Sequence, residues 1–392
     1  MILDLDRLEP SRGERSGLVT LAVLGAAAAA AGAAMNPDRL WASWLLVGYY
    51  SLGLALSGLC LVAIHYTTGA SWSVVVRRTA EAMASTLPLG VLLLAVAFLM
   101  RPRLYSWTEG LGALAGDPAA VFKRAWLSRS FFLVRAATYV VLWGGFAAAI
   151  TRRSRRQDAD SALRWTKANV RLSAAFLPVF GVTFTLASID WIMSLEPSWY
   201  STIFAFYNFA GLLQSGLAVL ILVTFWMEGR GPLRGVLNAE HRHDLGKLLF
   251  ALSSFWMYLW FSQYLLIWYA NVPEETAYFV RRAQGGWLAL QLANVLLNWV
   301  VPFVALLSRE AKRRRSTLAA IAATVLVGRW LDLYLMIFPS VVGDSPRLAF
   351  WEVGTTAGAL GCFVLMLVWI LRQAPTIPIG DPQLDESLRY EQ

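Results

Sequence analysis

Of 392 residues, 57% are hydrophobic and 15% charged, a balance that excludes an ordinary soluble domain, where charge interrupts apolar runs sooner. The net charge of +9 is gathered in loops rather than along one face, which argues against a nucleic-acid-binding surface. Cys60 and Cys362 stand alone, with no CxxC or CxxCH spacing, so the sequence offers no disulfide framework, iron–sulfur motif or attached c-type haem.

Runs of about 20 apolar residues, each able to cross about 30 Å of hydrocarbon as a helix, recur along the chain. They predict an all-α polytopic membrane protein of ten transmembrane helices: 17–35, 44–66, 82–100, 128–150, 169–194, 202–227, 246–271, 284–307, 317–338 and 350–371. Before the first span, Arg7, Arg12 and Arg15 face Asp4, Asp6, Glu9 and Glu14, unlike the basic leader of a cleaved signal peptide, so retention is expected. That span carries an Ala26–Ala31 run. The second ends at His65, followed by Trp72 and the pair Arg77-Arg78, with Glu81 opening the third. The longest loop, 101–127, holds Trp107 and Trp126 and is expected along the outer interface.

The fifth span contains Asp190 and runs into a loop with Glu196, Pro197, Trp199 and Tyr200. The seventh has Ser254, Tyr258 and Ser262 on one face with Gln263 beside it, and leads to a loop with the acids Glu274 and Glu275. The eighth aligns Gln291, Asn294 and Asn298, and the ninth places Arg329 three residues before Asp332. In the tenth, Gly354-x3-Gly358 and Ala357-x3-Gly361 have the small-xxx-small spacing of close helix contacts, either within the chain or with a partner. The tail, with Pro375, Pro378 and Pro382, reads as an extended cytoplasmic arm, disordered or laid on a neighbour.

Under this topology, segments on the N-terminal side hold 21 Lys and Arg and those opposite hold 8. The positive-inside rule then puts both termini in the cytoplasm. Tyr49-x3-Gly53-x3-Ser57-Gly58-Leu59 in span two matches Tyr207-x3-Gly211-x3-Ser215-Gly216-Leu217 in span six, and Asp190-x6-Pro197 matches Asp332-x6-Pro339. Both pairs suit a duplication, with the chain divided into an N-terminus and first helix (1–43), a first four-helix bundle (44–201), a second (202–345), and a last helix and tail (346–392).

Ionisable groups inside apolar spans are costly and are the first functional candidates. Asp190, Arg329 and Asp332 read either as packing ion pairs or as a proton relay. His65 and Glu81 read either as structural groups or as the inner mouth of such a path. One intramembrane histidine does not supply a bis-histidine haem, and no metal-ligand constellation is present. Glu196, Glu274 and Glu275 are outer-face acids, solvated by default or facing a cation or basic partner. Walker A, HExxH and Ser/His/Asp arrangements are missing.

The segments Asp190-Trp-Ile-Met-Ser-Leu-Glu-Pro-Ser-Trp-Tyr-Ser-Thr-Ile-Phe204 and Phe261-Ser-Gln-Tyr-Leu-Leu-Ile-Trp-Tyr-Ala-Asn-Val-Pro-Glu-Glu-Thr276 resemble the ActF-type membrane subunits of alternative complex III, in the NrfD-like family. So do His65-Tyr66, Ser71-Trp-Ser73, Arg77-Arg78, Asn298-x3-Pro302-Phe303 and Ser308-Arg309. The resemblance implies a subunit of a quinol:electron-carrier oxidoreductase in a bacterial cytoplasmic membrane. It implies haem c and iron–sulfur clusters in partner subunits and none here, with quinone or quinol a conceivable ligand and a similar sister subunit the better quinol site. Proton conduction or support of that sister subunit is the expected role. The rival expectations are a secondary transporter with duplicated bundles and a purely structural adaptor.

Overall fold

The computed structural model describes residues 11–100, 104–110, 120–343 and 345–391; the expected N-terminal acids and bases before Ser11 lie outside these. The described chain is all-helical. Nine of its helical segments are long and apolar enough to cross a membrane. The one expected span not among them, the seventh (246–271), corresponds to α9 (Ala239–Ala270), which is long enough but too rich in Ser, Trp and Tyr to count by composition.

Local chemistry sets the helix ends. A capping box opens α1 (Arg12–Met35): Ser11 Oγ accepts from the Glu14 amide at 3.2 Å and Glu14 returns the bond to the Ser11 amide at 2.8 Å. Asn36 then caps α2 (Pro37–Thr68), with Pro37 in the first turn, where a missing N–H costs nothing. Gly69, at φ 64°, ends α2 in the left-handed conformation.

Apolar on all sides, α2 is the central helix. It packs against α3 (Val74–Ala84), α4 (Leu87–Met100), α7 (Leu163–Trp191) and α8 (Phe204–Arg230). Its contact with α8 is close: a Cβ at Gly216 would fall inside the Ser57 side chain. The two copies of the predicted Tyr–Gly–Ser-Gly motif thus meet face to face. α6 (Arg129–Asp160) completes one side with α7, while α9 and α14 (Arg315–Ile337) pack on α8 and α11 (Trp287–Val295) packs on α14.

The small residues of the tenth span are used within the chain. α1 lies along α16 (Phe350–Leu371), with Gly25 against Gly358 and Ala28 against Gly354. The eighth span is interrupted: a π-helical turn, Leu296–Val300, separates α11 from α12 (Val301–Ala305). Pro302 explains the interruption, since its ring cannot tolerate a regular bond to the Asn298 carbonyl. That carbonyl instead accepts from Gln214 Nε2 at 2.7 Å.

Three sequence expectations change. Most of the outer loop at 272–283 is a helix, α10 (Pro273–Ala283), because Pro273, Glu274 and Glu275 form a favourable first turn and Arg281 and Arg282 a favourable last one. Tyr258, expected inward with Ser254 and Ser262, is 62% exposed; the buried face of α9 carries Ser253, Trp256 and Gln263. The tail is not a free extended arm: it folds back on the helix ends and includes α17 (Leu384–Leu388). There Asp381 pairs with Arg77, Ser387 Oγ donates to the Trp72 carbonyl at 2.9 Å and Tyr390 donates to Asp244 at 2.6 Å.

These tail contacts also define one Arg-rich end of the molecule. Arg230 meets Glu14, Arg242 meets Glu228 at 3.1 Å and Arg313 meets Glu240 there. Arg313 holds the Glu240 carboxyl below the usual carboxylate range. Under the tail, burial pulls His241 below its ordinary 6.5. A histidine depressed in the docked state binds fewer protons there than when released, so docking is favoured at higher pH and weakens as pH falls through 6.5. Amide exchange in Leu384–Leu388 is expected to accelerate between pH 7.5 and 5, and His241→Gln is expected to remove that dependence.

Candidate functional site

The two aspartates inside the predicted spans are fully clothed, by the same kinds of donor from different places. Asp332, on α14, is 1% exposed. It accepts from Tyr207 Oη on α8, from Arg329 Nη1 one turn earlier on its own helix, from Asn294 Nδ2 on α11 at 3.1 Å and from Trp256 Nε1 on α9 at 3.4 Å. The i, i+3 spacing puts Arg329 and Asp332 on one face, as expected. The second guanidinium nitrogen donates to Asn208 Oδ1 at 3.1 Å. Gly211 makes room for that guanidinium, since a Cβ there would overlap it.

Asp190, at the end of α7, has no exposed surface. Arg135 on α6 grips it with two bonds of 2.8 Å, Trp126 Nε1 donates at 2.9 Å and Tyr139 Oη at 3.0 Å. The Arg135 guanidinium lies in the corner between two perpendicular rings, 4.1 Å from Trp126 and 4.4 Å from Phe131. The described parts of the 101–127 loop cover this site, with Tyr105 donating to the Trp191 carbonyl at 2.9 Å and Trp107 to Ser194 at 3.3 Å. Arg135 was missed in the sequence. Its signal was an arginine within an apolar span, the rule that had already picked out Arg329.

The two acids differ in what lies next to them. Asn298 Nδ2 donates to Asn294 Oδ1 at 2.7 Å, which continues the polar row from Asp332 toward Gln214 and Ser253. A cavity of about 20 Å³, room for one water, borders Asp332 and is lined by Tyr207, Gln263, Tyr278, Gln291 and Asn294. Within it Gln263 Oε1 and Gln291 Oε1 are buried and lack a protein partner. Bidentate pairing and ring stacking leave Asp190 closed in, whereas Asp332 borders unsatisfied polar atoms and space.

The loop after Asp190 reaches over to the Asp332 side. Glu196 Oε1 accepts from Arg282 at 2.8 Å, and Arg281 approaches it at 3.2 Å, so Glu196 is a paired acid. Arg282, 1% exposed, also donates to the Leu335 and Met336 carbonyls at the end of α14, at 2.8 and 3.2 Å. Trp199 stacks on Tyr278 at 3.9 Å. Burial pushes the Tyr278 hydroxyl up to about 12, so it borders the cavity as a neutral group. Glu274 is exposed on α10 and Glu275 half-buried beside it.

At the Arg-rich end, His65 and Glu81 are both buried but not bonded to each other. Arg78 holds Glu81 at 2.8 Å and Asp158 at 2.6 Å. His65 sits edge-on to Trp72 at 5.5 Å, with Nδ1 unpartnered. Arg77 stacks 4.4 Å over the Tyr66 ring and pairs with Asp381 of the tail. The five sequence candidates for a path are therefore brought together only as Arg329–Asp332. Asp190 has Arg135, Glu81 has Arg78, and no hydrogen bond or ion pair among the described residues links these groups to one another. No group of three His, Cys, Asp or Glu side chains among the described residues could hold a metal ion. Neither a protein-family model nor a curated protein matches this chain.

Proposed function

We propose that this chain is a ten-helix subunit of a bacterial membrane quinol:electron-carrier oxidoreductase of the alternative complex III type, built from duplicated four-helix bundles. In this reading Asp332 is its proton-exchanging carboxylate. The observation that carries the proposal is the Asp332 cluster: an acid and arginine inside apolar helices, continued by Asn294 and Asn298, beside a water-sized cavity with unpartnered amide oxygens. Proton exchange needs a carboxylate whose oxygens can be reached by water or a neighbouring hydroxyl, and Tyr207 and the cavity supply both. The meeting of α2 and α8 through the repeated Ser57-Gly58 and Ser215-Gly216 motifs supports the duplication.

Asp190 has the opposite character. Four donors, two from one stacked guanidinium, hold it as a structural ion pair. Haem c and iron–sulfur centres belong, on this reading, to partner subunits, and this chain supports or couples to a quinol-oxidising sister.

The test uses the intact membrane assembly. Asp332→Asn is expected to cut proton release per quinol oxidised, while Asp190→Asn leaves it unchanged provided the assembly forms. Undiminished turnover and proton release in Asp332→Asn rejects the exchange role. Purification of the chain alone or as a homo-oligomer, with no haem-bearing partner, rejects the respiratory assignment in favour of a transporter.

A further inference from the structure

We propose that the groove between α4, α6 and α16 at the Arg-rich end binds one anionic phospholipid, its phosphate between Arg152 and Arg155. The groove measures about 350 Å³. Its floor is Gly144 and Ala148 on α6 and its far wall is Trp369 on α16; Arg152, Arg155 and Gln373 close one end. From Gly144 to Arg155 the helix rises about 17 Å at 1.5 Å per residue. That is close to half of the roughly 30 Å hydrocarbon core, the reach of one leaflet. The groove as a whole therefore spans one leaflet, apolar at its Gly144–Ala148 end toward the hydrocarbon and cationic at its Arg152–Arg155 end, where a headgroup sits.

The charges are available. Arg152 is exposed and makes no hydrogen bond or ion pair among the described residues. Arg155 is half-buried and donates only to a neutral group, Gln373 Oε1, at 3.3 Å. The nearest acids, Glu81 and Asp158, are already bonded to Arg78. A guanidinium pairs bidentately with phosphate oxygens, so two of them with no carboxylate of their own select an anionic headgroup. Basic pockets between spanning helices are where such lipids are recognised. A free phosphate would leave the apolar floor in water, and a wholly apolar ligand would leave the arginines unpaired. The inference rests on the chain spanning a bilayer and is independent of the role assigned to Asp332.

Native mass spectrometry of the detergent-purified protein tests it, with phosphatidylglycerol, phosphatidylcholine and inorganic phosphate as separate additions. Phosphatidylglycerol is expected to be retained as a single adduct in preference to phosphatidylcholine. Arg152→Gln and Arg155→Gln together are expected to weaken retention by about tenfold or more, at roughly 1 kcal/mol per arginine near the surface. Arg152→Gln alone, at an exposed position, is expected to give part of that loss if the double variant fails to fold. Gly144→Leu leaves the charges intact and fills the groove; a Cβ there meets nothing within 4 Å, so the helix tolerates it, and retention is expected to fall. Equal retention of phosphatidylcholine, phosphate binding that competes fully with lipid, or unchanged retention in both Arg152→Gln and Gly144→Leu overturns the proposal. So does a protein rather than a lipid crosslinked to a photoreactive residue at 144.

Discussion

Arg329→Leu is expected to destabilise the protein by about 3–5 kcal/mol, the usual cost of stranding one member of a buried ion pair. Asp332 would keep Tyr207, Asn294 and Trp256 as donors but lose its only counter-ion among the described residues. Asn208 would lose its guanidinium donor as well. The double variant Arg329→Leu/Asp332→Leu removes both charges and is expected to recover much of the loss, because the pair's own desolvation cost disappears with it. Unfolding of the four proteins of this cycle in mixed detergent–denaturant micelles gives the coupling. Strictly additive effects would mean that the two groups are not a pair. In that event the interior charge would have to be balanced through Tyr207 and Asn208 instead.

Gly216→Ala is the second large effect expected. The added methyl would fall within the space of Ser57, whose hydroxyl is already committed to the Leu54 carbonyl at 2.7 Å. Rotating the hydroxyl away does not help, because the Ser57 Cβ itself stands in the way. α2 and α8 must separate or a side chain must leave its rotamer, and overpacking of this kind costs about 1–3 kcal/mol. Ser57→Gly in the same chain frees the contested volume and is expected to restore most of the stability. A loss in Gly216→Ala that Ser57→Gly leaves untouched would show that the contact is not what limits the helix spacing.

Much of this was legible because a bilayer makes sequence patterns strict. Apolar runs gave nine qualifying helical segments, and the small-xxx-small spacing in α16 found its partner in α1. The Arg329–Asp332 pair followed from helical geometry alone, since both lie on one face of one helix. Asp190 was recognised as costly but its partner was not: Arg135 lies 55 residues away on another helix, and separation in sequence says nothing of which helices adjoin. The tail defeated compositional reading for a related reason. Its prolines and acids match a free arm, yet Asp381 and Tyr390 find Arg77 and Asp244, whose side chains meet them only after the helices are packed. Glu196 was read among the outer acids; what sets it apart from the exposed Glu274 is the folding of 273–283 as a helix, which brings Arg281 and Arg282 to it.

The position of α2 carries a consequence for how the protein is made. Of the residues in its apolar stretch 89% are buried within the fold, yet it leaves the ribosome before most of the helices that bury them. Helices α7 and α8, which cover much of it, are synthesised more than 90 residues later. During that interval its surface is covered by lipid or by an insertion factor, and each of those contacts must be exchanged for a helix as synthesis proceeds. The crossing at Ser57 and Gly216 cannot form until the sixth predicted span is inserted, so a chain stopped before it would expose a face shaped for a helix it does not have. Quality control of this protein would therefore act on the middle of the bilayer, where an uncovered α2 is the mark of an unfinished molecule.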